Sequence, residues 1–250
     1  MPLSIEIRDC TAEIVIDHPP VNALDTAGWD ELPQLIARSG ADPDVRCVLI
    51  RAAGRGFCGG VDIKEMQAHP QRITRLNAGN YLTVKAIRDC PVPVVSAIHG
   101  FVIGGGVNIT GASDVVIAAE GAYLSLPEID RGAMGGAAFL SRMVPPQKMR
   151  AAFFSGGKVT VEQLHALGSI EAVVPADRLI EEARALCAVI AAKSRKALVL
   201  AKEALNGLEP FDALKGYRWE QGFTLEMYMH EDSQKSRDAF VADKGRPAKF

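Results

Sequence analysis

No apolar run in the 250-residue chain approaches the ~20 residues that a membrane-spanning helix needs. Charge of neither sign dominates, since 28 Lys and Arg stand against 30 Asp and Glu. That balance leaves out the basic stripe by which a protein grips a nucleic-acid backbone. Histidine is scarce: His18, His69, His99, His165 and His230 lack the spacing of a metal site, so no metal is expected. Only His99, beside a cluster of glycines, merits a supporting role. Cys10, Cys47, Cys58, Cys90 and Cys187 are odd in number and never form C-x-x-C, which excludes a disulfide framework and suits a reducing compartment. The first residues carry Glu6, Arg8, Asp9, Glu13 and Asp17, unlike a signal or transit peptide. A cytoplasmic protein with no membrane and no nucleic-acid partner is the expectation.

Several familiar motifs are missing too. The glycines never form G-x-G-x-x-G followed by an acid about twenty residues on, so a dinucleotide fold is unsupported. Gly157-Lys158 continues into Val159, which rules out a P-loop, and the stretch from Gly111 to Val115 lacks the last glycine of a nucleophile elbow.

What is present is glycine in three places. Residues 92–98 read as a buried strand that breaks at Gly100, and Gly104-Gly105-Gly106 then opens a helix ending near Ala112. Glycines before a helix let a ligand approach the backbone and leave N–H groups unpaired at the positive end of the helix dipole. A phosphate, a carboxylate or a reaction oxyanion is stabilised in such a place. The same succession occurs earlier, where a short strand at 45–51 leads into the glycine-rich loop 52–62 and a helix beginning at Ile63. A third glycine turn spans 131–136. Around these, residues 5–16 alternate as paired edge strands, and Asp25 caps a helix that contains an awkward Pro33 and stops near Gly40. Residues 72–88 have helical spacing and 114–119 form another strand. A capping box starts at Thr160, and helices follow at 177–193, at 196–205 with a stop at Asn206-Gly207, and from Asp212 onward. Strands alternating with helices imply an α/β architecture with parallel strands and ligands at their carboxyl ends.

Three segments taken in order, Phe57-Cys-Gly-Gly-Val-Asp-Ile-Lys-Glu-Met66, Gly104-Gly105-Gly106 and Leu126-Pro-Glu-Ile129, resemble the crotonase (enoyl-CoA hydratase/isomerase) superfamily. Pro20-Val-Asn-Ala-Leu24, Ser113-Asp-Val-Val-Ile117 and the charged helical tail extend the resemblance over nearly the whole chain. It implies a crotonase-type ββα spiral core over residues 1–190 and a helical region over 191–250 that serves oligomerisation and completes the pocket. It also implies a homotrimer or hexamer and an acyl-CoA thioester substrate, with coenzyme A part of the substrate and no permanently bound cofactor. The backbone N–H groups of Val61 and Gly105 are expected to form an oxyanion hole for the thioester carbonyl. Gly59, Gly60, Asp62, Ile63 and Lys64 are expected to lie along the CoA, and tail residues from Tyr228 to Arg246 to close the pocket, in the family often from a neighbouring subunit.

Hydratases of this family use two glutamates. One is present as Glu128, with burial beside Leu126 and Ile129 expected to raise its pKa toward that of a useful base. The other position is Asn108, an amide that orients water or a substrate oxygen but carries no proton at neutral pH. One-carboxylate chemistry, isomerisation or carbon–carbon hydrolysis, is therefore favoured over simple hydration. Asp130 and Arg131 either contact a polar acyl group or pair with each other. The segments 127–134, 140–145 and 218–226 are similar to a subgroup linked to steroid-ring degradation, whose members hydrolyse a ring ketone attached to a CoA thioester. A non-catalytic scaffold that binds acyl-CoA or RNA is the rival; the retained Glu128 and both glycine loops argue against it.

Overall fold

The computed structural model describes residues 2–242. Its larger sheet has six strands in the order Leu3–Arg8, Thr11–Ile16, Cys47–Ala52, Val94–Ile98, Val115–Ala119, Ala172–Val174. The first two pair antiparallel through Asp9 and Cys10, whose φ values of 47° and 60° make the two-residue turn that suits the strand twist. The remaining pairs are parallel. The middle strands read as unbroken apolar runs because both faces are covered. Val48, Ile50 and Val94 face the main core, while Cys47, Leu49, Val95 and Ala97 pack under Leu179, Ala183 and Cys187 of helix Leu179–Ala191.

A second sheet joins Phe101–Ile103 to Tyr123–Ser125 and Lys158–Thr160. Its first strand departs from the sequence expectation, which ran the chain from Gly100 straight into the glycine loop. Instead the chain leaves the large sheet at Ile98, turns at Gly100, crosses the second sheet and only then enters helix Gly105–Ala112. The same path recurs. Val115–Ala119 passes through Tyr123–Ser125 into the short 3-10 helix Pro127–Arg131, and Cys47–Ala52 passes a bridge from Cys58 to Val102 and the strand Gly60–Val61 into helix Ile63–Ala68. These strand–strand–helix turns bring Gly60, Gly104 and Glu128 to one place.

Helix Thr26–Ala41 is capped by Asp25, whose Oδ1 accepts the Gly28 N–H at 2.8 Å, a bond of about 1 kcal/mol. Pro33 sits inside this helix without stopping it, and it withholds the N–H that would reach the Trp29 carbonyl. That carbonyl instead lies against Gly79 of helix Ile73–Asp89, where a Cβ would come within 2.9 Å of the oxygen.

The tail helices are Arg195–Leu208, Ala213–Met229 and Glu231–Ala242. The first runs through the expected stop at Asn206-Gly207, because Asn206 Nδ2 donates to the Arg88 carbonyl at 3.0 Å rather than breaking the helix. Within it, buried Lys202 donates to the carbonyls of Ile87 and Val92 and to Asp114 Oδ2 at 2.7 Å. The other two helices fold back over the carboxyl end of the core. Gln221 Nε2 donates to the Asn77 carbonyl at 2.6 Å, and Thr224 Oγ1 donates to that of Met134 at 2.6 Å.

Candidate active site

The two glycine loops meet through positions that exclude side chains. Gly60 has φ +86°, and a Cβ placed there would lie 3.1 Å from the Ile103 carbonyl and 3.6 Å from the Gly105 nitrogen. In the short strand Gly60–Val61, the Asp62 N–H is taken by the Leu24 carbonyl at 2.9 Å. Because peptide groups alternate along a strand, the Val61 N–H points to the other side, away from that partner. Across from it, Gly104 (φ +55°, ψ −116°) precedes helix Gly105–Ala112, which has no side-chain cap. The Gly104 carbonyl accepts the N–H groups of Val107 and Asn108, so the Gly105 and Gly106 N–H groups lie ahead of the first intrahelical bonds. Two backbone donors from separate loops therefore sit beside one another at the positive end of a helix.

Glu128 stands over this pair. A Cβ on Gly104 would strike Glu128 Oε1, so the carboxyl group lies directly above that glycine. The residue as a whole is half-buried, but its Oε2 is closed off from solvent and has no hydrogen-bond partner among the described residues. Burial pushes its pKa up to about 8 against the lowering pull of its own backbone N–H and of Arg131, while Glu220 adds to the rise. Only half of the apolar flank expected from the sequence is present: Leu126 is buried, whereas Ile129 is exposed. The rest of the enclosure comes from a cavity of about 70 Å³ whose wall includes Gly60, Val61, Met66, Ile73, Ile103 and Gly104.

Asn108 lies behind this wall. It is buried, its Nδ2 donates to the Tyr217 hydroxyl at 3.0 Å, and its Oδ1 has no partner. Tyr217 stacks edge-on against Phe139, and burial first, then Glu220, raise its pKa. Glu220 caps the short helix Ala137–Leu140, accepting the N–H groups of Ala137 and Ala138 at 2.9 and 3.0 Å, and burial raises its pKa as well.

Of the residues expected along a CoA, Gly59, Gly60 and Ile63 line the cavity. Asp62 caps helix Ile63–Ala68 by accepting the N–H groups of Lys64 and Glu65. Lys64 is exposed on that helix and forms no ion pair within the described residues. His99 hydrogen-bonds the Gly54 carbonyl at 3.0 Å and so steadies the first glycine loop. Asp130 and Arg131 form no ion pair among the described residues; Arg131 turns into the cavity wall and stacks over Phe240 at 4.6 Å. Tyr228 and Arg237 complete the wall from the chain's own tail helices. The expected tail segment ends at Arg246, and its last four residues lie outside the described ones. Sequence inspection missed Tyr217, Glu220 and Arg237 individually; their only advance signal was aromatic and charged residues alternating along the tail.

Backbone N–H groups from two glycine loops beside a carboxyl group, within a ββα spiral, are an arrangement suited to holding a carbonyl oxygen near a group that can move a proton. The enoyl-CoA hydratase/isomerase family model matches residues 6–248. The chain belongs to that family, whose members act on CoA thioesters. It is 43% identical over 241 residues to a (7aS)-7a-methyl-1,5-dioxo-2,3,5,6,7,7a-hexahydro-1H-indene-carboxyl-CoA hydrolase of Rhodococcus jostii, covering 96% of this chain and 93% of that one. A hydrolase of the same name from Mycobacterium tuberculosis is also 43% identical, over 91% of this chain and 93% of the relative. Among solved structures, an enoyl-CoA hydratase/isomerase from Xanthobacter autotrophicus superposes with a TM-score of 0.89 at 26% identity, covering 97% of this chain and 94% of that one. The crotonase fold and the acyl-CoA class expected from the three motifs are thereby borne out.

Proposed function

We propose that this protein hydrolyses a carbon–carbon bond of a ring ketone carried on a CoA thioester. The observation that carries the proposal is the one carboxyl group lining the cavity among the described residues, that of Glu128, set over Gly104 with an unpartnered oxygen, in a site whose other family glutamate is replaced by Asn108. The two ring hydrolases at 43% identity support this reaction over isomerisation. In the proposed mechanism the Val61 and Gly105 N–H groups hold the thioester carbonyl oxygen, each donor contributing roughly 3–4 kcal/mol to the transition state. Glu128 removes a proton from water as its oxygen bonds to the ring-ketone carbon. The ring carbon–carbon bond then breaks, its electron pair passes into the thioester enolate, and Glu128 returns the proton to carbon. The ketone carbon becomes a carboxylic acid, still tethered through the opened ring, which gives its proton to solvent; one water is consumed and no redox partner is needed. Asn108, fixed by Tyr217, orients the water, its free Oδ1 accepting a water O–H.

Gly59, Gly60, Asp62, Ile63 and Lys64 are assigned to the CoA side, with Lys64 on a phosphate or the adenine. Coenzyme A enters only as part of the substrate. A trimer or hexamer in the cytoplasm is the accompanying proposal, supported by family likeness and by five thiols without a disulfide. Trp219 and Met229, 72% and 85% exposed on the tail, offer apolar surface for such an assembly. The test is a panel of linear enoyl-CoA and cyclic keto-CoA thioesters analysed by mass spectrometry. Cyclic keto esters are expected to gain one water and open. Turnover of linear enoyl esters alone would refute the proposal.

A further inference from the structure

The cavity wall holds two arginines that the reaction above does not use. Arg237 is 6% exposed; one guanidinium nitrogen donates to Ser233 Oγ, another to Gln234 Oε1 at 2.7 Å, and Nε has no partner. Its guanidinium lies over the Tyr228 ring at 4.0 Å, and Tyr228 is itself fixed by a 3.3 Å bond to the Met66 carbonyl. Arg131 projects from the Glu128 turn and rests on Phe240. Ser233, Arg237 and Phe240 recur at four- and three-residue spacing, so one face of helix Glu231–Ala242 both holds one arginine and supports the other. Neither guanidinium has a carboxylate within ion-pair distance among the described residues. A buried guanidinium at 237 and a half-buried one at 131, neither held in an ion pair, are better satisfied when an anion arrives to meet them.

We propose that Arg131 and Arg237 form an anion subsite at the acyl end of the cavity, taking a carboxylate on the acyl group or the oxyanion that precedes it. The inference rests on the acyl-CoA assignment above. It places the arginines beside Glu128, where the reacting carbon lies, and so separates them from the phosphates of CoA. A fork of N–H donors matches the two oxygens of a carboxylate. Ring-ketone hydrolysis generates such a group where water attacks, so the subsite favours a hydrolytic over an isomerising outcome.

The test compares two series of ligands by titration calorimetry: succinyl-, glutaryl- and adipoyl-CoA against butyryl-, valeryl- and hexanoyl-CoA. CoA phosphates are common to both series and cancel. At one chain length at least, the carboxylated ester is expected to bind tenfold or more tightly than its neutral counterpart. Arg131→Gln and, provided circular dichroism shows it folded, Arg237→Gln are expected to bring that ratio close to one, with neutral-ester affinity held within twofold. Arg131 sits half-buried on a turn, so its variant keeps the test available if the tail helix does not tolerate change. Neutral esters that bind without any carboxylate preference would overturn the subsite alone. Equal weakening of both series in the variants would assign the arginines to CoA phosphate and also overturn it. Failure of every CoA ester to bind would instead bring down the acyl-CoA assignment.

Discussion

Replacing Glu128 by Gln separates two consequences of the same buried carboxyl group. A carboxyl group whose pKa is raised by folding keeps its proton in the folded state over a range where the unfolded chain has lost it. Folding stability is then untouched below the ordinary pKa of 4.5 and falls as pH rises from there to about 8. At ~1.4 kcal/mol per pH unit, that window sets a ceiling of about 5 kcal/mol, reached only near pH 8 and above. Water admitted to the cavity would lower the figure, so a difference of about 2–4 kcal/mol at pH 8 is the working expectation. Glutamine has the same shape and no charge. The variant should therefore equal the wild type in stability near pH 5 and exceed it at pH 8, as read by urea unfolding at both values. Turnover should move the other way. A base with a pKa of about 8 is roughly one-tenth ionised at pH 7, so wild-type activity should climb toward pH 8, while the variant should lose 10³-fold or more yet still bind CoA esters. Parallel pH–stability curves for the two proteins would refute the burial argument. Unchanged turnover would refute the assignment of Glu128 as the acid–base group.

Other substitutions probe the scaffold around it. Gly104→Ala should reduce turnover at least 100-fold and lower stability by about 2–3 kcal/mol, because its Cβ would strike Glu128 Oε1 at a positive φ; an active variant of normal melting temperature would argue against the close approach. Lys202→Met should destabilise the protein by about 3 kcal/mol in chemical unfolding, since Asp114 would stay partly buried without its cation; a shift under 0.5 kcal/mol would show that the tail helix is not held there. With Asn108 in place of a second carboxylate, hydration of crotonyl-CoA followed by absorbance should be slow, and efficient hydration would overturn the one-carboxylate argument. Gly105→Pro is a poor test of the oxyanion donor. Proline suits the first position of a helix, but any Cβ at 105 would come within 2.5 Å of the Trp29 ring.

The elements legible in the sequence are those whose signal is local. Asp25, Thr160 and the glycines of the two loops act through backbone groups a few residues away, so their spacing alone placed the caps and the two glycine loops, while Val61 and Gly105 as oxyanion donors came only from the family resemblance. Strand Phe101–Ile103 was lost because three residues are too few to show a period, and its pairing with Tyr123–Ser125 is twenty residues distant. The extent of helix Arg195–Leu208 was misjudged for the opposite reason, a strong local stop overridden by the bond from Asn206 to Arg88.

The third glycine turn shows where local inspection stops and long-range packing begins. From the sequence, Gly132 was only part of a third glycine turn following Glu128. In the fold, a Cβ at Gly132 would collide with the backbone of Ser233, and Ser233 Oγ donates to the Gly132 carbonyl. The missing side chain is thus what lets helix Glu231–Ala242 lie on the Glu128 turn. That contact carries Arg237 into the cavity and sets Phe240 under Arg131. A pairing a hundred residues apart in sequence leaves no periodicity, since neither partner is unusual in its own neighbourhood. The charge of the acyl pocket consequently depends on a glycine in one part of the chain and an arginine in another, and only their meeting in the fold makes either residue informative about substrate.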